Sequence, residues 1–122
     1  MKLVYDMSIQ GNGRDPVVVL RLSGCVDSET APAFGEVMDI LLGRNDCPLI
    51  VDMTSVSYIS SAGWREFVTK TQNVLDGHVQ IQIAGMQPTV RDVFELIGLN
   101  QVYPSHACVR DAIESLATSH KG

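Results

Sequence analysis

Leu3, Tyr5, Met7 and Ile9 fall on alternate positions of residues 2–9, the period-two signature of a strand with one apolar face. Gly11-Asn12-Gly13-Arg14-Asp15-Pro16 is a run of turn formers. Val17 to Leu22 follows as a second strand, and its three consecutive valines predict burial on both faces. Together these two strands predict a hairpin.

Gly24 to Ser28 is expected as a loop, after which the pattern turns helical. From Thr30 to about Gly43, Phe34, Val37, Met38, Leu41 and Leu42 share one helical face. Pro48 to Met53 is a third strand, followed by a short polar loop. A helix runs from about Ser61 to Leu75, with Trp64, Phe67, Val68, Thr71 and Leu75 on one stripe and Asp76-Gly77 as its stop. Val79, Ile81 and Ile83 alternate with glutamines in a fourth strand.

Pro88 stands near the first turn of a third helix, where a missing N–H does no harm. Val90, Val93, Phe94 and Ile97 form that helix's apolar face, and Gly98 closes it. Gln101 to Tyr103 is expected as a short strand. Val109, Ala112, Ile113 and Leu116 mark a last amphipathic helix, and the polar tail from Ser119 to Gly122 is expected to fray.

The order β-β-α-β-α-β-α-β-α predicts an α/β fold. The sheet is mixed and mostly parallel, with an N-terminal β-hairpin and four helices. One domain spanning residues 1–122, with its core at about 3–117, accounts for the length. Phe34, Val37, Leu41, Val93, Phe94 and Ile97 are expected in the core. The loop at Asp27 and the loop at Ser60 and Ser61 both follow strands that point the same way. They are expected to face each other at the carboxyl end of the sheet, where partners and ligands of such folds engage.

The net charge of −5 argues against broad binding to a phosphate backbone, so no direct nucleic-acid partner is expected. Cys25, Cys47 and Cys108 are far apart and form no CxxC, which suggests neither a disulfide framework nor a zinc site. Reduced thiols in the cytoplasm are the default. His78, His106 and His120 form no i, i+4 pair, and no metal is expected. No apolar run approaches the ~18 residues of a membrane span, and the N-terminus lacks the long apolar centre of a signal peptide. There is no Gly-x-x-x-x-Gly-Lys phosphate loop, and no cofactor is expected.

The most informative stretch is VDMTSVSYISSAGW, residues 51–64. An apolar run enters Asp52, and Ser60, Ser61, Ala62 and Gly63 then open a helix. First-turn N–H groups lack intrahelical partners, and the macrodipole there favours negative charge. The commonest use of a serine at this place is an N-cap, worth about 1 kcal/mol. The other use is as a phosphoacceptor. A nucleophile elbow requires Gly-x-Ser-x-Gly. Centred on Ser61, Ile59 stands at the first glycine position; centred on Ser60, Tyr58 and Ala62 stand at both. A hydrolase built on Ser61 also lacks an evident base among the three histidines, so no enzyme is expected.

Three segments carry a family resemblance. LRLSGCVDSETA (residues 20–31) is similar to a strand, Gly-x-hydrophobic-Asp loop and helix start; LIVDMTSVSYISSAGW to a strand, Asp, hydrophobic loop and Ser-x-Gly motif; PTVRDVFELIGL (residues 88–99) to a late helix with its Phe and closing Gly-Leu. In this order and spacing the chain resembles a stand-alone STAS domain of the anti-sigma-factor antagonist type.

The resemblance implies a cytoplasmic bacterial partner switch in transcription control. The unmodified protein binds a serine-kinase anti-sigma factor and frees the sigma factor. The kinase phosphorylates the serine two positions before the glycine, and a PPM-type serine phosphatase restores it. Carried over, the acceptor is Ser61, with Ser60 as second choice, and Asp27 matches the acidic residue of the first loop. Asp27, Ser60, Ser61, Ala62, Gly63 and Trp64 make up the implied partner interface. Trp64 itself is expected in the core, with an exposed partner anchor as the sharper reading. The family often has aspartate where Ser60 stands, glutamate where Cys25 stands and leucine where Trp64 stands. An alternative keeps the fold but makes the chain an accessory STAS subunit of an ABC-type transporter. It would bind its ATPase constitutively, with Ser61 as a cap only.

Overall fold

The structure, a computed structural model, describes residues 3–11, 16–44, 47–75 and 80–119. The strands are β1 (Val4–Gly11), β2 (Pro16–Val26), β3 (Leu49–Ile59), β4 (Ile81–Ala84) and β5 (Ser105–His106). The helices are α1 (Ala31–Arg44), α2 (Ser61–Leu75), α3 (Pro88–Leu96) and α4 (Val109–Ser119). One sheet holds the strands in the order β1-β2-β3-β4-β5. Only β1–β2 is antiparallel; β2–β3, β3–β4 and β4–β5 are parallel.

Strand order that advances in one direction has a consequence. Right-handed crossovers made steadily toward the same edge deliver their helices to the same face. The large core accordingly joins Phe34 and Met38 of α1, Trp64 and Phe67 of α2, and Val90 and Phe94 of α3 to Leu20, Val51 and Ile83. The Phe34 and Phe67 rings lie parallel, 6.5 Å apart, where α1 meets α2. The second face is left to α4, whose Ala112 and Leu116 cover Val17, Val19, Ile50 and Ala84. The valine run therefore serves both cores, Val18 on one side and Val17 and Val19 on the other.

Several boundaries differ from the expectation. The loop expected from Gly24 to Ser28 is strand as far as Val26, and the polar loop expected after Met53 is strand as far as Ile59. The cause is irregular pairing. Between Arg21 and Ser23, and again between Gly24 and Cys25, β3 fits one more residue than β2 does. Each extra residue is a bulge that breaks the period of two. Only Val56 and Ile59 are then buried among the exposed Thr54, Ser55, Ser57 and Tyr58, so the segment reads as a loop.

The expected strand at Gln101 to Tyr103 is instead a 3₁₀ turn (Leu99–Gln101), and β5 follows it. Tyr103 is buried, its ring centroid 4.7 Å from that of Phe67 and its hydroxyl hydrogen-bonded to buried Thr71. Gln82, which alternates with the apolar positions of this strand, is buried along with the rest of β4. In α3, Val90 and Phe94 are buried, but Val93 and Ile97 are exposed. The helix ends at Leu96, so Ile97 leaves the helical path, and Gly98 closes the turn at φ 82°. Leu41 is half-buried, not fully in the core. The turn residues 12–15, the stop at Asp76-Gly77, His78, Val79 and the tail at 120–122 lie outside the described residues.

Candidate functional site

The parallel ladder of β2 and β3 ends at the pair Val26 and Ile59. The next residue on each strand is a helix-capping residue, Asp27 on one side and Ser60 on the other. The Ser60 N–H donates to Val26 O at 2.7 Å, which ties the two connections together. The expected meeting of the Asp27 and Ser60 loops at the carboxyl end of the sheet is what the structure has.

At the start of α1, Asp27 Oδ1 accepts the backbone N–H of Glu29 at 2.9 Å and of Thr30 at 3.0 Å. In return Thr30 Oγ1 accepts the Asp27 N–H at 2.9 Å, and its hydroxyl donates to Cys25 O at 2.9 Å. This reciprocal arrangement satisfies donors that a helix start leaves without partners. The Thr30 N–H, chiefly, holds the Asp27 carboxyl below its ordinary value of 3.8, with Glu29 adding to the effect.

At the start of α2, Ser60 is the cap. Its carbonyl accepts the Trp64 N–H at 3.0 Å, and its hydroxyl oxygen accepts the Gly63 N–H at 3.2 Å. Ser61 is the first residue of the helix, exposed, and its hydroxyl has no hydrogen bond to any described residue. The two serines, of which the family resemblance favours Ser61 over Ser60 as acceptor, thus have different surroundings. One hydroxyl is used by the fold and the other has no partner among the described residues.

Gly63 sets how close the helix comes to the strands. A Cβ at this position would lie 2.6 Å from Val26 Cγ1 and 2.9 Å from Ile59 Cγ2, closer than carbon atoms approach. Trp64 is 3% exposed, set edge-on to Phe67 at 5.9 Å and 5.6 Å from Phe94. Its Nε1 is buried with no acceptor among the described residues. Of the residues expected at an interface, Ser61 is exposed and Asp27, Ser60 and Ala62 are half-buried. Gly63 and Trp64 are buried, so they can shape a surface without forming its outer layer.

A groove of about 350 Å³ opens beside Ser61, between α2 and α3. Ser61, Trp64, Arg65, Val68, Thr69, Val93 and Ile97 line it. Leu96, on its α3 flank in sequence, is 84% exposed. The groove escapes a reading of the sequence, because the spacing of Val93 and Ile97 suits a core face equally well.

The sequence reading also gives Asp52 no partner. Asp52 is buried, with Arg21 Nε 3.4 Å from its Oδ2 and the Thr54 N–H 3.0 Å from its Oδ1. Arg21 and Asp52 are register partners on adjacent strands, so the pair holds the sheet just where the first bulge begins. Opposite charges at matched strand positions were the available signal. Among the described residues, no group of His, Cys, Asp and Glu could hold a metal ion, and no helix is long and apolar enough to cross a membrane.

The STAS domain family model matches residues 8–112. The chain belongs to the STAS domain family. This STAS domain is 24% identical, over 97 residues, to the anti-sigma-F factor antagonist RsfB of Mycobacterium tuberculosis, a match covering 80% of this chain and 79% of that protein. Its fold superposes on an anti-sigma factor antagonist from Mycobacterium paratuberculosis with a TM-score of 0.82, at 21% identity and 93% coverage of both chains. The phosphorylated form of the Bacillus cell fate determinant SpoIIAA aligns with a TM-score of 0.66 at 19% identity, covering 91% of this STAS domain and 99% of that chain.

Proposed function

We propose that this STAS domain is an anti-sigma factor antagonist switched by phosphorylation of Ser61. Unmodified, it docks on a serine-kinase anti-sigma factor through the surface around Ser61 and the α2–α3 groove. The kinase transfers phosphate to Ser61, the complex dissociates, and a PPM-type phosphatase resets the switch. The observation that carries this reading is the division of labour between the two serines. Ser60 Oγ is occupied as the cap of α2, and Ser61 Oγ is exposed with no described partner. Relatives named as anti-sigma factor antagonists support it as well.

The chemistry follows from position. A phosphate adds about −1.5 to −2 charges at neutral pH. At the first residue of α2 it meets unpaired N–H groups and the positive end of the helix dipole, with Arg65 lining the same groove. The free domain therefore tolerates it. A docked partner does not, because the groove floor is Trp64, Val68, Val93 and Ile97, and covering it would strip water from the phosphate. Each 1.4 kcal/mol of that cost lowers affinity about tenfold.

The test is phosphotransfer from a cognate ATP-dependent serine-kinase anti-sigma factor, followed by peptide mapping, with binding measured in parallel. Ser61→Ala should remove the transfer and keep the fold. Ser61→Asp should bind the kinase more weakly than wild type, although it carries less charge than a phosphate. Phosphate on Ser60 would move the switch by one residue. No phosphate on either serine, with Ser61→Asp binding as wild type does, would instead favour a constitutive ATPase-binding subunit.

A further inference from the structure

β1 is an edge strand. It pairs with β2 on one side only, over eight residues from Val4 to Gly11, and no described strand pairs with its other side. Such an edge presents a row of unpaired N–H and C=O groups that templates another strand. Soluble proteins usually blunt it with lysine, proline, bulges or a covering element. β1 reads VYDMSIQG, without lysine or proline, and its pairing to β2 is regular from end to end.

The apolar face of this strand is uncovered as well. Tyr5, Met7 and Ile9 are each more than half exposed, and so is Ile40 on the neighbouring helix α1. Between them lies a hollow of about 220 Å³, lined by Tyr5, Met7, Leu20, Val37, Ile40 and Leu41. The alternation that marks the strand in the sequence therefore describes a face the fold does not bury. A patch of this kind signals a partner.

We infer that the partner is a second copy of this chain, joined by antiparallel pairing of β1 with β1 about a two-fold axis. The side-chain arrangement of the strand fits itself. Such an axis stands perpendicular to the sheet, so the apolar faces of both copies stay on one side and residues directly opposite share a face. In the register that sets Met7 opposite Met7, Tyr5 lies across from Ile9 of the other copy at both ends, giving an unbroken apolar stripe. Asp6 lies across from Ser8, so the one charge of the strand never meets itself. It is instead turned toward Arg21 of its own chain, whose Nη1 is 4.0 Å away. The register centred on Asp6 would oppose two carboxylates and is excluded on that ground. The result is a ten-stranded sheet with isologous contacts, the commonest form of dimer. No residue lining the α2–α3 groove belongs to β1 or α1, so the seam leaves the Ser61 surface free.

The experiment is sedimentation equilibrium of the whole chain across a concentration series, with amide hydrogen exchange on the same samples. The seam is small and the dimer correspondingly weak, with a Kd on the order of 10–100 μM. The expected result is a monomer–dimer equilibrium with slower exchange at β1 amides as concentration rises. Met7→Lys and Ile9→Lys, at exposed positions, should each return the protein to monomer with an unchanged circular dichroism spectrum, and Leu96→Lys should leave the dimer intact. A monomer up to ~1 mM, tenfold above the weaker Kd, would overturn the inference. A dimer without concentration-dependent protection of β1, or one that Leu96→Lys removes and Met7→Lys does not, would overturn it too. The exchange measurement needs no variant, so it tests the seam even where a substitution fails to fold.

Discussion

Gly63 lies so close to Val26 that one added methyl group would sit 2.6 Å from Val26 Cγ1. The first turn of α2 rests directly on the ends of β2 and β3, and the glycine of the Ser-x-Gly pattern makes that contact possible. Val26 and Ile59 are themselves buried and have little room to move. Gly63→Ala should therefore destabilise the domain by about 1–3 kcal/mol, the range for overpacking. Ordinary helix propensity would give the opposite sign, since alanine is the better helix former. Urea unfolding of the two proteins decides between these opposed expectations.

Ser60 and Ser61 should separate cleanly by substitution. Ser60→Ala removes an N-cap and should cost about 1 kcal/mol, and under the proposed function it should leave phosphorylation at Ser61 in place. Ser61→Ala should leave the unfolding midpoint nearly unchanged, because its hydroxyl bonds to nothing described. A larger stability loss at Ser61 than at Ser60 would mean that the cap has been assigned to the wrong serine.

Asp27 gives a pH signature. Hydrogen bonds from the Thr30 N–H and then the Glu29 N–H lower its pKa in the fold below the ordinary 3.8. A depressed carboxylate contributes stability that is present above the unfolded value and lost as pH falls through the folded one. Wild type should therefore be more stable than Asp27→Asn near neutrality. That advantage should shrink once the pH drops below 3.8 and disappear below the folded value. Thermal melts of both proteins along a pH series provide the comparison, and a constant gap down to strong acid would rule out the carboxylate as its source.

Two positions of α3 should behave differently although the sequence gives them one face. Phe94 is fully buried against Trp64, and Phe94→Ala should cost roughly 3–5 kcal/mol. Val93 is 40% exposed in the groove, and Val93→Ala should cost about 1 kcal/mol or less. Under the proposed function the ranking reverses for kinase binding, where Val93→Ala should weaken the complex. Stability measured beside affinity for each variant makes the reversal visible.

The pattern of apolar residues was enough to place all four helices, the hairpin strands and a mixed, mostly parallel sheet. Helical and strand periods differ strongly, and Pro88, Gly98 and the serines at 60 and 61 punctuate them. It was also enough to place Asp27 and the two serines at one end of that sheet, because strand direction follows from the alternation of elements. The family resemblance and the Ser-x-Gly motif were likewise legible.

Tertiary structure decided the rest. Bulges carried β3 on to Ile59 through residues that alternate with no period of two, so local pattern could not show a strand there. Tyr103 and Thr71 are 32 residues apart in sequence, and only packing brings their hydroxyls together. Val93, Ile97, Tyr5, Met7 and Ile9 have the spacing of core residues and stand at the surface. Periodicity reports that a face is apolar, but what covers that face depends on which elements the chain brings to it. The same holds for the serines. Local sequence offers two adjacent hydroxyls, and the start of α2 at Ser61 makes Ser60 the cap and leaves the Ser61 hydroxyl with no partner among the described residues.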